Sequence, residues 1–409
     1  MGLTCFWNPP FYESQPSGAN GDIFPNLKGQ GERMSTQATL DTAKVDALLT
    51  RVQREVDEGL LPSAQVALGL HGEVVLNESF GSADNDSLIC IFSATKGITS
   101  AAAWLLIQEG KLSEDELVVD IIPEFGANGK ENITVQQLFT HTAGFPHAPF
   151  RPLQWNSKEE TLGRFEQWRL SFDPGTKFEY HPTSSMWVIA EIIERKSGIS
   201  YTEFVRTRVI EPLGLKNTFV GLPAEQNSRT LPVVHSGDPM TEEDYAKLGM
   251  PMPPVTEVTE ELLLAFNLPE IRAVGVPGGG GYANAHDLAL FYQALLHGGL
   301  DGQELWSANT LEDVRRIRSG DLTDMMFRKP ANRALGIIIS GDDSRSFRGF
   351  GKTNSPEAFG HNGAGGQLCW VDPASGLSLC YLTSGHDRND VRQGRRGVAI
   401  SSMAADCAG

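Results

Sequence analysis

Ser93 and Lys96 stand three positions apart at the head of Gly97-Ile98-Thr99-Ser100-Ala101-Ala102-Ala103-Trp104-Leu105-Leu106-Ile107, a string that is small or apolar on every side. Such a string predicts a helix enclosed by other structure, with Gly110 as its stop. Positions three apart share a helix face, so the hydroxyl and the amine sit side by side at the helix start. A serine hydroxyl attacks only when a base takes its proton, and a lysine is such a base when desolvation or neighbouring cations depress its pKa. The chemistry on offer is that of an activated serine nucleophile. Alone the pairing is unspecific, since a chain of this length contains about one or two S-x-x-K strings by chance. Motifs further along the chain give it weight.

The 409 residues, 40% hydrophobic and 21% charged, suffice for one large domain with an insertion or for two domains. A formal net charge of -17 argues against nucleic acid or anionic membrane as a partner, because both reward clustered lysine and arginine. The short basic cluster Arg392, Arg395 and Arg396 reads as a solvated helix face. No stretch approaches the roughly 20 apolar residues that span a bilayer. The N-terminus lacks the basic-then-apolar pattern of a secretory signal, so a cytoplasmic location is expected. Five cysteines, Cys5, Cys90, Cys369, Cys380 and Cys407, are odd in number and show no C-x-x-C spacing, which predicts buried free thiols rather than a disulfide framework or a zinc knuckle. Nine histidines without an H-E-x-x-H pair give no metal-ligand spacing, and no metal is expected. Nothing in the composition specifies an oligomeric state.

Residues 1–33, rich in Gly, Pro, Asn and Phe, have no periodicity and read as an N-terminal extension, disordered or artefactual, ahead of a start at Met34. An amphipathic helix is expected over Thr42–Glu58, then two β-rich runs, Gln65–Leu70 and Glu73–Leu76, joined through His71-Gly72 as a hairpin. Between 121 and 274 the pattern turns to helices and loops, with Val135–Leu138, Ser184–Ser197 and Tyr201–Ile210 the clearer pieces. The stretch 221–270 is proline-punctuated, with acidic runs, and has the character of substrate loops. Strand chemistry returns at Ala334–Ser340, Gly366–Val371 and Leu377–Thr383, the last two hinged at Asp372-Pro373-Ala374-Ser375-Gly376, before a terminal helix from about Asp390. Helix plus hairpin at one end and hairpin plus helix at the other predict an α/β (α+β) fold, an antiparallel sheet flanked by helices. Its body comprises 34–120 and 275–409, with 121–274 as a mainly helical insertion and the active site in the cleft between them.

Three strings stand in order along the chain: Ser93-Ala94-Thr95-Lys96, then Tyr180 after Pro174-Gly175-Thr176-Lys177-Phe178-Glu179, then Gly360-His361-Asn362-Gly363. Together they resemble the three motifs of the serine β-lactamase and penicillin-binding-protein superfamily, most closely its class C-like branch with the family VIII carboxylesterases. Ile133-Thr134-Val135-Gln136-Gln137-Leu138-Phe139-Thr140-His141-Thr142-Ala143-Gly144, Glu211-Pro212-Leu213-Gly214-Leu215 and Gly278-Gly279-Gly280-Gly281-Tyr282 before His286-Asp287-Leu288 extend the match over roughly residues 40 to 390. The resemblance implies a β-lactamase-like fold and a serine esterase working through an acyl-enzyme on Ser93, without cofactor or metal, on a small-molecule ester.

In the mechanism so implied, Tyr180 shares proton transfer with Lys96. His361 is a donor that orients substrate, with Asn362 and Gly363 beside it on an edge strand, where a Cβ at 363 would intrude on the substrate. The backbone N–H groups of Ser93 and Ala364 form the oxyanion hole. His141 is expected to be a structural turn residue. The chain departs from the family at its second motif, where Tyr-x-Asn is replaced by Tyr180-His181-Pro182, and Thr183 or His181 is left to stand in for the missing amide. That departure weakens a β-lactamase or peptidase reading more than an esterase one. A β-lactamase, a D-amino-acid-specific peptidase or amidase, an acyltransferase and a non-catalytic member of the fold are the alternatives. The glycine run at 278–281 is not G-x-G-x-x-G, and no G-x-S-x-G elbow occurs.

Overall fold

A computed structural model describes residues 39–249 and 259–408, so the expected extension over 1–33 lies outside the described residues. Asp41 caps the first helix, α1 (Thr42–Asp57), by accepting from the backbone N–H groups of Ala43 and Lys44. The strands β1 (Ser63–Leu70) and β2 (Glu73–Gly81) follow as a hairpin whose turn residues His71 and Gly72 both have positive φ, 57° and 85°. That left-handed pair matches the twist of the flanking strands. Helix α2 (Thr95–Gln108) comes next, and Gly110 ends it at φ 68°. Helices α3 (Ser184–Ser197) and α4 (Ala285–His297) belong to the middle of the chain. Four strands, β3 (Ile338–Ile339), β4 (Phe359–Gly360), β5 (Leu368–Asp372) and β6 (Leu377–Thr383), then lead to the terminal helix α5 (Asp390–Ala405).

These strands form one antiparallel sheet of six in the order β3-β4-β5-β6-β1-β2, so the two chain ends meet where Val66 pairs with Tyr381 and Ala67 with Cys380. The two strands that meet there, β1 and β6, are buried along their whole length. Their alternation feeds two separate cores. Val66, Leu68, Leu379 and Tyr381 pack with Leu48 of α1 and Ile400 of α5, while Ala67, Cys380 and Leu382 join the larger core around α2, α3 and α4. A second, three-stranded sheet joins Ile89–Cys90, Gly281–Ala283 and Thr218–Val220, bringing the glycine run against the chain that precedes Ser93.

Two expectations are corrected. Ala334–Ser340 is a strand only at Ile338–Ile339, because Gly336 turns the chain at φ 84° and lies so close to α2 that a Cβ there would meet the Ser100 hydroxyl at 2.0 Å. The basic cluster is not a solvated face. Arg396 is 2% exposed and donates to Glu55 at 2.6 Å and to Asp387 at 2.7 Å, and Arg392 also pairs with Asp387. Only Arg395 of the three is exposed. Cys90, Cys369, Cys380 and Cys407 are buried free thiols.

Candidate active site

Ser93 sits in a single 3-10 turn, Phe92–Ala94, that leads into α2. Phe92, just ahead of it, takes φ 43°, a left-handed conformation costly for a phenylalanine. The turn is held from two sides. Phe92 packs edge-on against Phe266 at 5.6 Å, and the Thr95 hydroxyl donates to the Phe92 carbonyl at 2.6 Å while accepting from the Gly281 amide at 2.9 Å. Ser93 is thereby presented partly exposed between buried neighbours.

Lys96, 1% exposed, lies beside it with Nζ 3.3 Å from the Ser93 Oγ and 2.7 Å from each of the carbonyls of Pro182 and Gly278. Two carbonyls accept two N–H bonds, and the remaining position of the amine is shared between the Ser93 oxygen and the Tyr180 phenol. In its neutral form that position is a lone pair, and the Ser93 proton is what it would take. A Cβ at 278 would lie 3.0 Å from the Pro182 carbonyl and 3.4 Å from Nζ, so a larger residue there would press on the groups that hold the amine.

Tyr180 completes the group. Its loop is pinned to the segment around His141, whose backbone at φ 59° turns its carbonyl toward the Glu179 amide (3.1 Å) and its ring Nδ1 toward the His181 amide (3.2 Å). The rings of His141 and Tyr180 lie 4.6 Å apart. Lys96 Nζ stands 5.1 Å from the centre of the Tyr180 ring. Burial alone would raise the phenol. The Lys96 charge, hydrogen bonds with Lys96 and Ser93 and the Arg333 charge outweigh it and hold Tyr180 below its usual value.

His361 is 2% exposed, with its ring 6.3 Å from that of Tyr180. Nδ1 lies 2.8 Å from the Asn362 carbonyl, which only accepts, so Nδ1 carries the proton and the buried Nε2 presents a lone pair. Burial and the charges of Lys96 and Arg333 keep the ring well below its usual pKa. His361 is therefore a neutral acceptor toward the site, where the sequence reading expected a donor. Asn362 spends its amide on the loop itself, donating to the Arg348 carbonyl at 3.1 Å and accepting from the Cys369 amide at 3.3 Å. Gly363 is glycine for an internal reason, since a Cβ would meet the Ile91 carbonyl at 2.2 Å. That contact seats the loop carrying Ala364 against the chain just before Ser93. His181 is held by the Glu179 carbonyl and the Phe145 amide, and burial pushes it down to about 4. Both its nitrogens serve the loop, and it is the Pro182 carbonyl that reaches the Lys96 amine.

A cavity of about 240 Å³ opens beside Ser93, lined by Phe150, Trp187, Leu262, Leu263, Phe266 and Val276 among others, with Thr183 and Ala364 at its rim. Sequence reasoning missed four contributors: the carbonyls of Pro182 and Gly278, the strained Phe92, and Arg333. Backbone acceptors have no signature in a sequence, but the positions of Pro182 and Gly278 inside recognised strings offered a hint.

Residues 48–402 match the family described as Beta-lactamase, and the chain belongs to that family of serine hydrolases. It is similar to a penicillin-binding-protein homologue from Caulobacter crescentus (25% identity, TM-score 0.72, covering 89% of this chain and 97% of the other). A family VIII carboxylesterase is similar at 26% identity and TM-score 0.71, covering 89% and 98%. A relative from Salmonella agona, named "Putative D-alanyl-D-alanine carboxypeptidase", is 26% identical over 85% of this chain and 84% of its own length.

Proposed function

We propose that this chain is a carboxylesterase that cleaves esters of short acyl chains through an acyl-enzyme on Ser93. The observation that carries the reading is the convergence of Ser93, Lys96 and Tyr180, with the Lys96 amine held by two carbonyls and shared between the serine and tyrosine oxygens. In the reaction, the Ser93 oxygen attacks the ester carbonyl as its proton passes to the Lys96/Tyr180 pair. The N–H groups of Ser93 and Ala364 hold the oxyanion, each worth roughly 3–4 kcal/mol to the transition state. The alcohol leaves with the proton returned through Tyr180, and water then attacks the acyl-enzyme to release the acid. No cofactor takes part.

Three features support an ester rather than a peptide or β-lactam. Pro182 stands where the family's second motif offers an amide. The third motif holds its histidine neutral, so that motif itself offers no cation to a substrate carboxylate. The cavity beside the serine is walled by aliphatic and aromatic side chains. Ser93→Ala should lower kcat for p-nitrophenyl butyrate by about 10⁴-fold or more, and Lys96→Ala and Tyr180→Phe each by about 10²–10⁴-fold. Substantial turnover by the Ser93 variant rejects the assignment. Faster hydrolysis of nitrocefin or of a D-alanyl-D-alanine peptide than of any ester moves the function to those relatives' chemistry.

A further inference from the structure

Arg333 is a charged residue buried at the site with no ion-pair partner among the described residues, the charge of Asp324 reaching it only from beyond contact distance. It is 9% exposed, and its Nε and Nη1 have no hydrogen-bond partner. Leaving a guanidinium in that state is costly, and folds rarely keep one without a compensating negative charge. Its backbone is fixed from both sides: its amide donates to the Ser319 hydroxyl at 3.0 Å, and its carbonyl accepts from the amides of Arg318 (2.8 Å) and Ser319 (3.1 Å). The guanidinium rests on two aromatic rings, 5.3 Å from the centre of Phe178 and 5.4 Å from that of Tyr180. With Lys96 at 5.1 Å, the Tyr180 ring carries two cations over it.

We propose that Arg333 is a positioning residue for acyl transfer: its guanidinium is the fixed counter-charge for the negative oxygen of Tyr180 once the phenol proton has gone. The inference rests on the role given to Tyr180 above. The groups facing Tyr180 are Ser93 and Lys96 from the start of α2, His141 from the turn beneath it, His361 from the end of β4, and Arg333. The two histidines are held neutral, so the cations at the phenol are Lys96 and Arg333. Both favour the phenolate over the phenol. Burial first and then the charges of the same pair keep His361 neutral.

The test is the pH profile of kcat/KM for p-nitrophenyl butyrate, whose acid limb reports the proton leaving the coupled Lys96/Tyr180 pair. Arg333→Gln removes the charge and should move that limb upward by about one to two pH units, lowering the rate about 10- to 100-fold on the acid side and restoring it at higher pH. Arg333→Lys keeps a cation near the same point and should leave the limb close to its native place. A limb unmoved in Arg333→Gln while kcat falls overturns the proposal and reduces Arg333 to packing. Should Arg333→Gln fail to fold, a tyrosinate absorbance titration of the native chain against Tyr180→Phe decides without touching position 333. A Tyr180 that ionises at or above the ordinary tyrosine value overturns the proposal, and one that ionises below it supports it. Loss of activity in Ser93→Ala together with an unmoved limb defeats this inference alone. An active Ser93→Ala variant defeats the esterase reading as well.

Discussion

His141 and His361 flank the Tyr180 ring, His181 follows it in the chain, and all three are held neutral. His141 and His361 lie well below the ordinary histidine value of 6.5 and His181 at about 4, burial being the largest cause for each and the Lys96 charge adding to it. A group whose folded pKa is depressed in this way binds its proton more readily when unfolded. Stability therefore rises with pH until the unfolded value is passed and is lost as pH falls from about 6.5 toward the folded values. With one group the slope reaches at most about 1.4 kcal/mol per pH unit, and with three titrating together about 4 kcal/mol per unit. Scanning calorimetry should show the melting temperature dropping steadily between pH 6.5 and about 5, above the range in which ordinary carboxylates titrate. His181→Gln should make that slope shallower. A melting temperature that stays level across the window contradicts the neutral assignment of these rings.

At the scale of elements, α1, α5 and the strand Gly385–Asp387 are tied by one buried ionic cluster in which Arg396 bridges Glu55 and Asp387. Removing the arginine takes one partner from each of two buried carboxylates, which keep Arg51 and Arg392, so Arg396→Ala should cost about 1.5–3 kcal/mol in urea unfolding, against less than about 0.5 for Arg395→Ala one position away. Equal effects at the two positions refute the cluster's role. The contrast also shows what a sequence conceals. Three arginines within five positions of one helix carry the same charge signal, and only the packing of α5 on α1 decides which of them is inside. Arg333 was hidden for the same reason, since neither its burial nor its lack of an acid partner has a local signature. Segments whose own pattern sufficed came through intact: Leu377–Thr383 is a strand at its expected bounds, and Ser184–Ser197 a helix at its own. Ser93 and Lys96 were legible because three residues of spacing on a helix is itself geometry, and Tyr180 because it sits in a recognisable string. What each of them hydrogen-bonds was not, because the partners are carbonyls some 90 to 180 positions away.

Across the whole molecule, the cavity beside Ser93 is assembled from chain segments as distant as Phe92 and Ala364, and under the proposed function its size sets which acyl chains fit. At about 240 Å³ it exceeds the roughly 150 Å³ that holds a benzene ring and falls below the usual span for drug-sized ligands. Each methylene buried there is worth about 0.8 kcal/mol, or close to fourfold in kcat/KM, until the cavity is full. Activity across p-nitrophenyl esters should therefore climb from acetate to about butyrate or hexanoate and decline with longer chains. Phe266 is the side chain that closes this space against Phe92 and is itself 7% exposed. Phe266→Ala enlarges the cavity, so the preferred chain should lengthen by several carbons while hydrolysis of the acetate weakens. The substitution also removes the ring that braces the strained Phe92, so kcat should fall on every ester even as the preference shifts. A variant with an unchanged chain-length profile would place the acyl group outside this cavity and leave the cavity to the alcohol.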